Sequence, residues 1–260
     1  RVLVQADLDE DARDRVFNAL VDAALAWAQQ TDVSGLHFLF VPRWQAELLA
    51  ERGLLVRTAY QYKWTNPGYA DFDDFLSRFR SKRRNKIKRE RRELAQSDVT
   101  LEFAQGEEIT PEHIGHVRRF YKDTCRKFGH WTSQYLKDAF FDHIREHFTH
   151  RTQLILARDS HGYPVAGTFS LLKNDVLYGR YWGCDEDIPF LHFNACYYAP
   201  IERAIELGVK LYEPGQGGHH KYRRGFEPQQ TWSAHWLASR RLRDVLEQYL
   251  VRERAGVAHE

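Results

Sequence analysis

The sequence contains no methionine and only three cysteines in 260 residues, Cys125, Cys184 and Cys196. Those cysteines share no paired spacing, which excludes a disulfide framework and a cysteine zinc site and fits a reducing compartment. No apolar run approaches the roughly 18 to 20 residues that cross a bilayer, and no charged, apolar leader opens the chain. Neither a membrane span nor a secretory signal is therefore expected, and the expected location is the cytoplasm. The absence of methionine even at position 1 points to a fragment, an engineered sequence or a string without its modified residues. Long repeats and low-complexity tracts are also missing. What remains, 43% hydrophobic residues, suffices for one large or two small cores.

The formal net charge of +2 conceals an uneven distribution. Between Arg78 and Glu93 ten Lys or Arg face two Glu, an island of +8 on a remainder of −6. Such density inside a folded chain suggests a polyanionic partner, phosphate groups or nucleic acid. Phe72, Phe75, Leu76, Phe79, Ile87 and Leu94 recur at helical spacing through the same stretch, predicting one helix, or two joined near Ser81, with the basic side chains on the other faces. A solvated bridging helix is the competing reading, but such helices usually intersperse acids at i,i+4 spacing.

Periodicity elsewhere predicts a strand at 1–5, a helix over 10–30, a strand at 36–41, a helix over 44–51 and a strand at 54–64. Asn66-Pro67-Gly68 then marks a turn and a boundary. After the island come a strand at 99–104, helices over 111–128 and 133–148, and strands at 153–158, 164–172 and 175–182. A helix over 194–207, a strand at 210–213, a glycine-rich loop, a strand at 231–237 and a terminal helix complete the chain. The expected domains are 1–68, a basic helical connector 69–97, and 98–260.

This last series has the element order of the GNAT acyltransferases. Three stretches, SKRRNKIKRERREL, LYGRYWGCDEDIPFLHFNACYYAPIERAIELG and LYEPGQGGHHKYRRGFEPQQTWSAHWL, resemble the FemAB-like predicted N-acyltransferases, relatives of the Fem peptidyltransferases. The resemblance implies an α/β (α+β) fold, a GNAT-like mixed sheet flanked by helices, in tandem with a partial first unit. It also implies transfer of an aminoacyl or acyl group from aminoacyl-tRNA or an acyl thioester to an amine, such as that of a cell-wall precursor, with no tightly bound cofactor. The competing class is a non-catalytic RNA-binding protein on the same fold. Acetyl-CoA is disfavoured: GNAT enzymes cradle its pyrophosphate on a glycine-bearing turn, whereas 184–193 here reads CDEDIPFLHF, with three carboxylates.

The resemblance places Lys82, Arg83, Arg84, Lys86 and Lys88 on the polyanion-facing side. Arg180, Tyr181 and Trp182 end a central strand where a GNAT sheet splays: Arg180 could hold a carboxylate or phosphate, and the aromatics could form its wall or simply belong to a core. In the loop after Glu213, Glu213 or His219 could accept a proton from the attacking amine, while Lys221 or Arg224 could stabilise charge. A tight turn with solvated histidines is the plainer reading. His192, Asn194 and Asp185 form a weaker set, in which Asn194 could simply cap a helix. Tyr121, Lys122, Arg126 and Trp131 could select the substrate or just pack. No metal is expected, although His143, His147 and His150 share a helical face. A cysteine nucleophile, Cys184 or Cys196 with His192, is disfavoured. The decisive expectation is convergence of the basic helix, the Arg180 strand end and the Glu213 to Arg224 loop on one cleft.

Overall fold

The computed structural model describes residues 1–128, 134–215 and 218–257. Trp131 and Ser133, and Gln216 and Gly217 of the glycine-rich loop, lie outside the described residues. In chain order the elements are α1 (Glu10–Gln30), β1 (Gly35–Val41), α2 (Arg43–Glu51), β2 (Leu55–Thr65), α3 (Phe72–Ser77), α4 (Ser81–Ala95), β3 (Thr100–Gln105), α5 (Pro111–Phe128), α6 (Asp138–His143), β4 (Thr152–Arg158), β5 (Pro164–Lys173), β6 (Val176–Cys184), α7 (Leu191–Phe193), α8 (Ala199–Glu206), β7 (Leu211–Glu213), β8 (Glu227–Leu237) and α9 (Arg240–Val257). Contacts gather these into two compact units, Arg1–Gln61 with Gln229–Glu260, and Tyr62–Pro228.

In the first unit the Asp9 side chain accepts the Ala12 N–H at 2.7 Å and starts α1, whose Phe17, Val21 and Ala28 are buried. They pack with Phe38, Val41, Ala46, Leu49, Leu54 and Ala234. The strand order is β1-β8-β2, and β8 runs antiparallel to β1 from Gly35↔Leu237 to Val41↔Trp232. That pairing assigns the C-terminal residues here rather than to a 98–260 domain. The strand expected at 1–5 does not form: Gln45, not a neighbouring strand, satisfies Val2, with Nε2 donating to its carbonyl at 2.8 Å and Oε1 accepting its N–H at 3.4 Å.

In the second unit the order is β2-β7-β6-β5-β4-β3. Strands β3 to β6 are antiparallel, β7 is parallel to β6, and β7 is antiparallel to the end of β2. Residues of β4 alternate between cores, Leu154 and Leu156 packing with Phe120 and Phe141, Ile155 and Ala157 with Leu191, Ala195 and Ala199. Helices therefore cover both faces of this mixed sheet, as the GNAT-like expectation requires. The basic segment is no free connector: it is two helices, α3 and α4, whose Phe72, Phe75, Leu76, Ile87 and Leu94 are buried in the unit's cores. Helix 133–148 is shorter in its described part, starting at Asp138 and passing into a π turn at Ile144–Phe148. Helix 194–207 starts earlier, at Leu191, and carries a π turn at Asn194–Tyr198. Within the glycine-rich loop, His219–Arg224 forms a 3₁₀ turn.

Candidate functional site

Helix α4 carries no acid in its first turn, so its positive dipole end and its cations add. Arg80, Lys82, Arg83 and Lys86 line a cleft of about 690 Å³ with Arg78, Arg223, Arg224 and the rings of Phe79, Tyr198 and Tyr222. Among the described residues Glu90 is its one carboxylate, and that charge is already answered. Glu90 is 2% exposed and Arg224 6%. Arg224 Nη2 donates to both Glu90 oxygens at 3.1 and 3.2 Å, its Nη1 donates to the His220 carbonyl at 3.1 Å, and Tyr198 Oη donates to Glu90 Oε2. The guanidinium lies 3.4 Å over the Phe193 ring. Burial pushes the Tyr198 phenol upward, with the Glu90 carboxylate adding to the shift. Arg78 is held by Glu227 and by Tyr69 Oη at 3.2 Å. Among the described residues Arg80, Lys82, Arg83, Lys86 and Arg223 make no ion pair, so the cleft offers unspent positive charge.

A second recess opens where two strands part. The parallel pairing of β6 and β7 spans only Val176–Tyr178 against Leu211–Glu213. Beyond it, Gly179, Arg180, Tyr181, Trp182, His192, Tyr197 and Pro214 border a space of about 80 Å³. An irregularity in the β5 to β6 pairing, between Phe169 and Ser170, lies opposite Arg180. Tyr197 Oη and His220 Nε2 are 2.9 Å apart. Burial lowers His192 to about 4, helped by His220, Arg224 and Lys221. Lys221 is 4% exposed. Its Nζ donates to the Gly215 carbonyl at 2.8 Å and the Pro214 carbonyl at 3.4 Å, and burial lowers it to about 8. One 3₁₀ turn lies between cleft and recess: its Arg224 lines the first, and its Lys221 donates to Pro214, which borders the second.

The model of the FemAB-like family, described as peptidoglycan biosynthesis/recognition, matches residues 1–260. The chain belongs to the FemAB-like family. No curated protein matches it. Among solved structures it is similar to L-PGS from Bacillus licheniformis, at 12% identity and a TM-score of 0.62, covering 93% of this chain and 79% of that one. A C-terminal domain named for lysylphosphatidylglycerol synthetase, from Agrobacterium fabrum, aligns at 11% identity and a TM-score of 0.58, over 87% and 74%. FemX aligns at 12% identity and a TM-score of 0.55, over 90% and 79%. At such identities these likenesses establish the fold alone.

The expected convergence is met in part in this FemAB-like chain. Lys82, Arg83, Lys86 and Arg224 share the large cleft, whereas Arg180, Tyr181, Trp182 and His192 border the small recess. Arg84 lines neither. Lys88 is drawn off to Asp73 at 3.0 Å. Arg180 is exposed, its guanidinium 5.1 Å from the Tyr178 ring centroid. Tyr181 packs against Tyr121 at 4.9 Å and Trp182 against His192 at 5.4 Å, both partly in cores. Glu213 ends β7 as expected but is bound to Lys63 at 2.8 Å. His219 is exposed, its Nδ1 3.4 Å from Tyr62 Oη. Arg119 holds Asp185 at 2.9 Å, Asn194 donates to the carbonyls of Phe190 and Glu90, and burial pushes Cys196 upward. Lys122 is paired with Asp138 at 2.6 Å and Arg126 with Asp123 at 2.9 Å. Among the described residues no three His, Cys, Asp or Glu side chains gather as metal ligands, and no helix is long and apolar enough to cross a membrane.

Sequence reasoning missed the Glu90, Arg224 and Tyr198 cluster. A signal existed: Glu90 follows Ile87 by three residues and precedes Leu94 by four, on the buried stripe of α4. An acid on an apolar face needs a buried cation.

Proposed function

We propose that this chain forms an amide by moving an aminoacyl or acyl group from an activated, phosphate-bearing carrier to an amine acceptor, with aminoacyl-tRNA favoured over an acyl thioester. Family membership supports the transferase class, and a cell-wall precursor is the acceptor class that the family description favours. The observation that carries the reading is the cationic cleft, whose one carboxylate among the described residues is neutralised internally, joined by one turn to the gap between β6 and β7. A nucleic-acid carrier would lie in the cleft and present its ester at the gap. Such a donor places the reaction in the cytoplasm. Acetyl-CoA fits poorly, since Asp185, Glu186 and Asp187 follow β6 where its pyrophosphate would sit.

In the reaction the amine nitrogen attacks the ester carbonyl and the C–N bond forms. Lys221, as ammonium, stabilises the oxyanion. His219, or Glu213 once released from Lys63, takes the proton given up by the amine, the ester C–O bond breaks, and the carrier hydroxyl leaves with that proton. Arg224 serves the cleft by holding Glu90 rather than by meeting phosphate directly.

The test is incubation with charged tRNAs and, separately, with acyl thioesters, in the presence of amine-bearing cell-wall precursors, followed by mass spectrometry for the amide. Product that disappears in Lys221→Met, with the fold intact, is the expected result. Tight RNA binding without product from any donor would favour a binding module and overturn the transferase.

A further inference from the structure

One aromatic side chain in the cleft is half exposed, its ring packed on one side by His219 at 6.1 Å between centroids. Tyr222 is 48% exposed and the adjacent Arg223 is exposed too, while Lys221 and Arg224 are buried. It sits midway along the 3₁₀ turn, lines the cleft together with Arg83 and Lys86, and has the Arg83 guanidinium 5.9 Å from its ring centroid. Lys221 and Arg224 of the same turn are directed inward, whereas the Tyr222 ring stays at the surface of the cleft. A flat π face among unpaired cations is the combination that holds an unpaired nucleotide: the ring stacks on the base and the cations take the phosphates. A bare phosphate or an acyl phosphate would use the cations and leave the ring idle.

We infer that Tyr222 is a stacking platform for a nucleobase, so that the cleft recognises an unpaired nucleotide rather than phosphate charge alone. This rests on the reading that the cleft takes the carrier's phosphates, and it adds the side chain that distinguishes a nucleotide from bare phosphate. The nucleotide can come from a single-stranded RNA end or from a nucleotide-linked small precursor. Both present the same base and phosphate.

The test measures binding of three probes to the full chain by calorimetry: a short single-stranded oligoribonucleotide, a nucleoside diphosphate, and inorganic tripolyphosphate, which has the charge and no base. The platform predicts that Tyr222→Ala weakens at least one base-bearing probe about tenfold or more, that Tyr222→Phe retains its affinity, and that tripolyphosphate is indifferent to both changes. Which base-bearing probe responds identifies the source. Equal weakening of tripolyphosphate, or no weakening of either base-bearing probe, overturns the platform while leaving the phosphate reading standing. A native chain that binds none of the three probes overturns both. Circular dichroism of each variant establishes that the exposed substitution leaves the fold in place.

Discussion

Removing the Glu90 side chain should do more damage than removing any exposed charge of α4. In Glu90→Ala the Arg224 guanidinium stays buried, loses both Nη2 bonds of 3.1 and 3.2 Å, and keeps only the His220 carbonyl and the Phe193 face. Its Nε is already buried without a partner. Breaking one side of a buried pair costs about 3 to 5 kcal/mol, because the surviving charge has neither water nor a counter-ion. With a urea slope of about 3 kcal/mol per M, the unfolding midpoint followed by circular dichroism should fall by roughly 1 to 1.7 M. The double change Glu90→Ala with Arg224→Leu removes the stranded charge and should recover a large part of that loss. A loss below about 1 kcal/mol for the single variant, or a double variant no better than the single, would refute the argument that this pair is closed to water.

The cations should act additively on polyanion binding: in Lys82→Ala with Lys86→Ala the slope of log affinity against log salt for a single-stranded RNA should flatten by about 1.4, measured by anisotropy titration. Because burial lowers Lys221 to about 8, its ammonium is lost as pH rises through that value. Amide formation relative to Lys221→Arg, which stays charged, should therefore decline above about pH 8, and Lys221→Met should cost about 10² in rate. The same shift links to stability: the unfolded chain, with its lysine at the ordinary 10.5, binds the extra proton between about 8 and 10.5. This group's contribution to stability therefore improves as pH rises across that window. Gly225 closes the 3₁₀ turn at φ +91°, where an added Cβ would come within 2.7 Å of the buried Phe75 ring. Gly225→Ala should cost about 3 kcal/mol from backbone strain and overpacking, seen as a fall of roughly 6 to 12 °C in Tm.

Much of the element sequence was legible because periodicity is local. Helix α1 occupies the predicted span 10–30, and strands β4 to β6 lie within two residues of expectation. The strand expected at 1–5 shows the limit, since alternation cannot tell whether a neighbour exists to accept the hydrogen bonds. The two π turns were equally hidden, because one extra residue in a turn barely disturbs a helical pattern.

The charges of α4 were plain in the sequence, and so was the chance that phosphate is their partner. Their availability was not. Lys88 is spent on Asp73 and Arg224 on Glu90, while Lys82 and Lys86 remain open to the cleft. Glu213 looked like a free base in the sequence and is tied to Lys63, 150 positions away. Composition and spacing determined which charges and rings this chain carries and which faces of its helices are apolar. Only the folded chain decided which charges neutralise one another, because Coulomb energy and desolvation depend on distance and burial between segments that sequence order leaves unrelated.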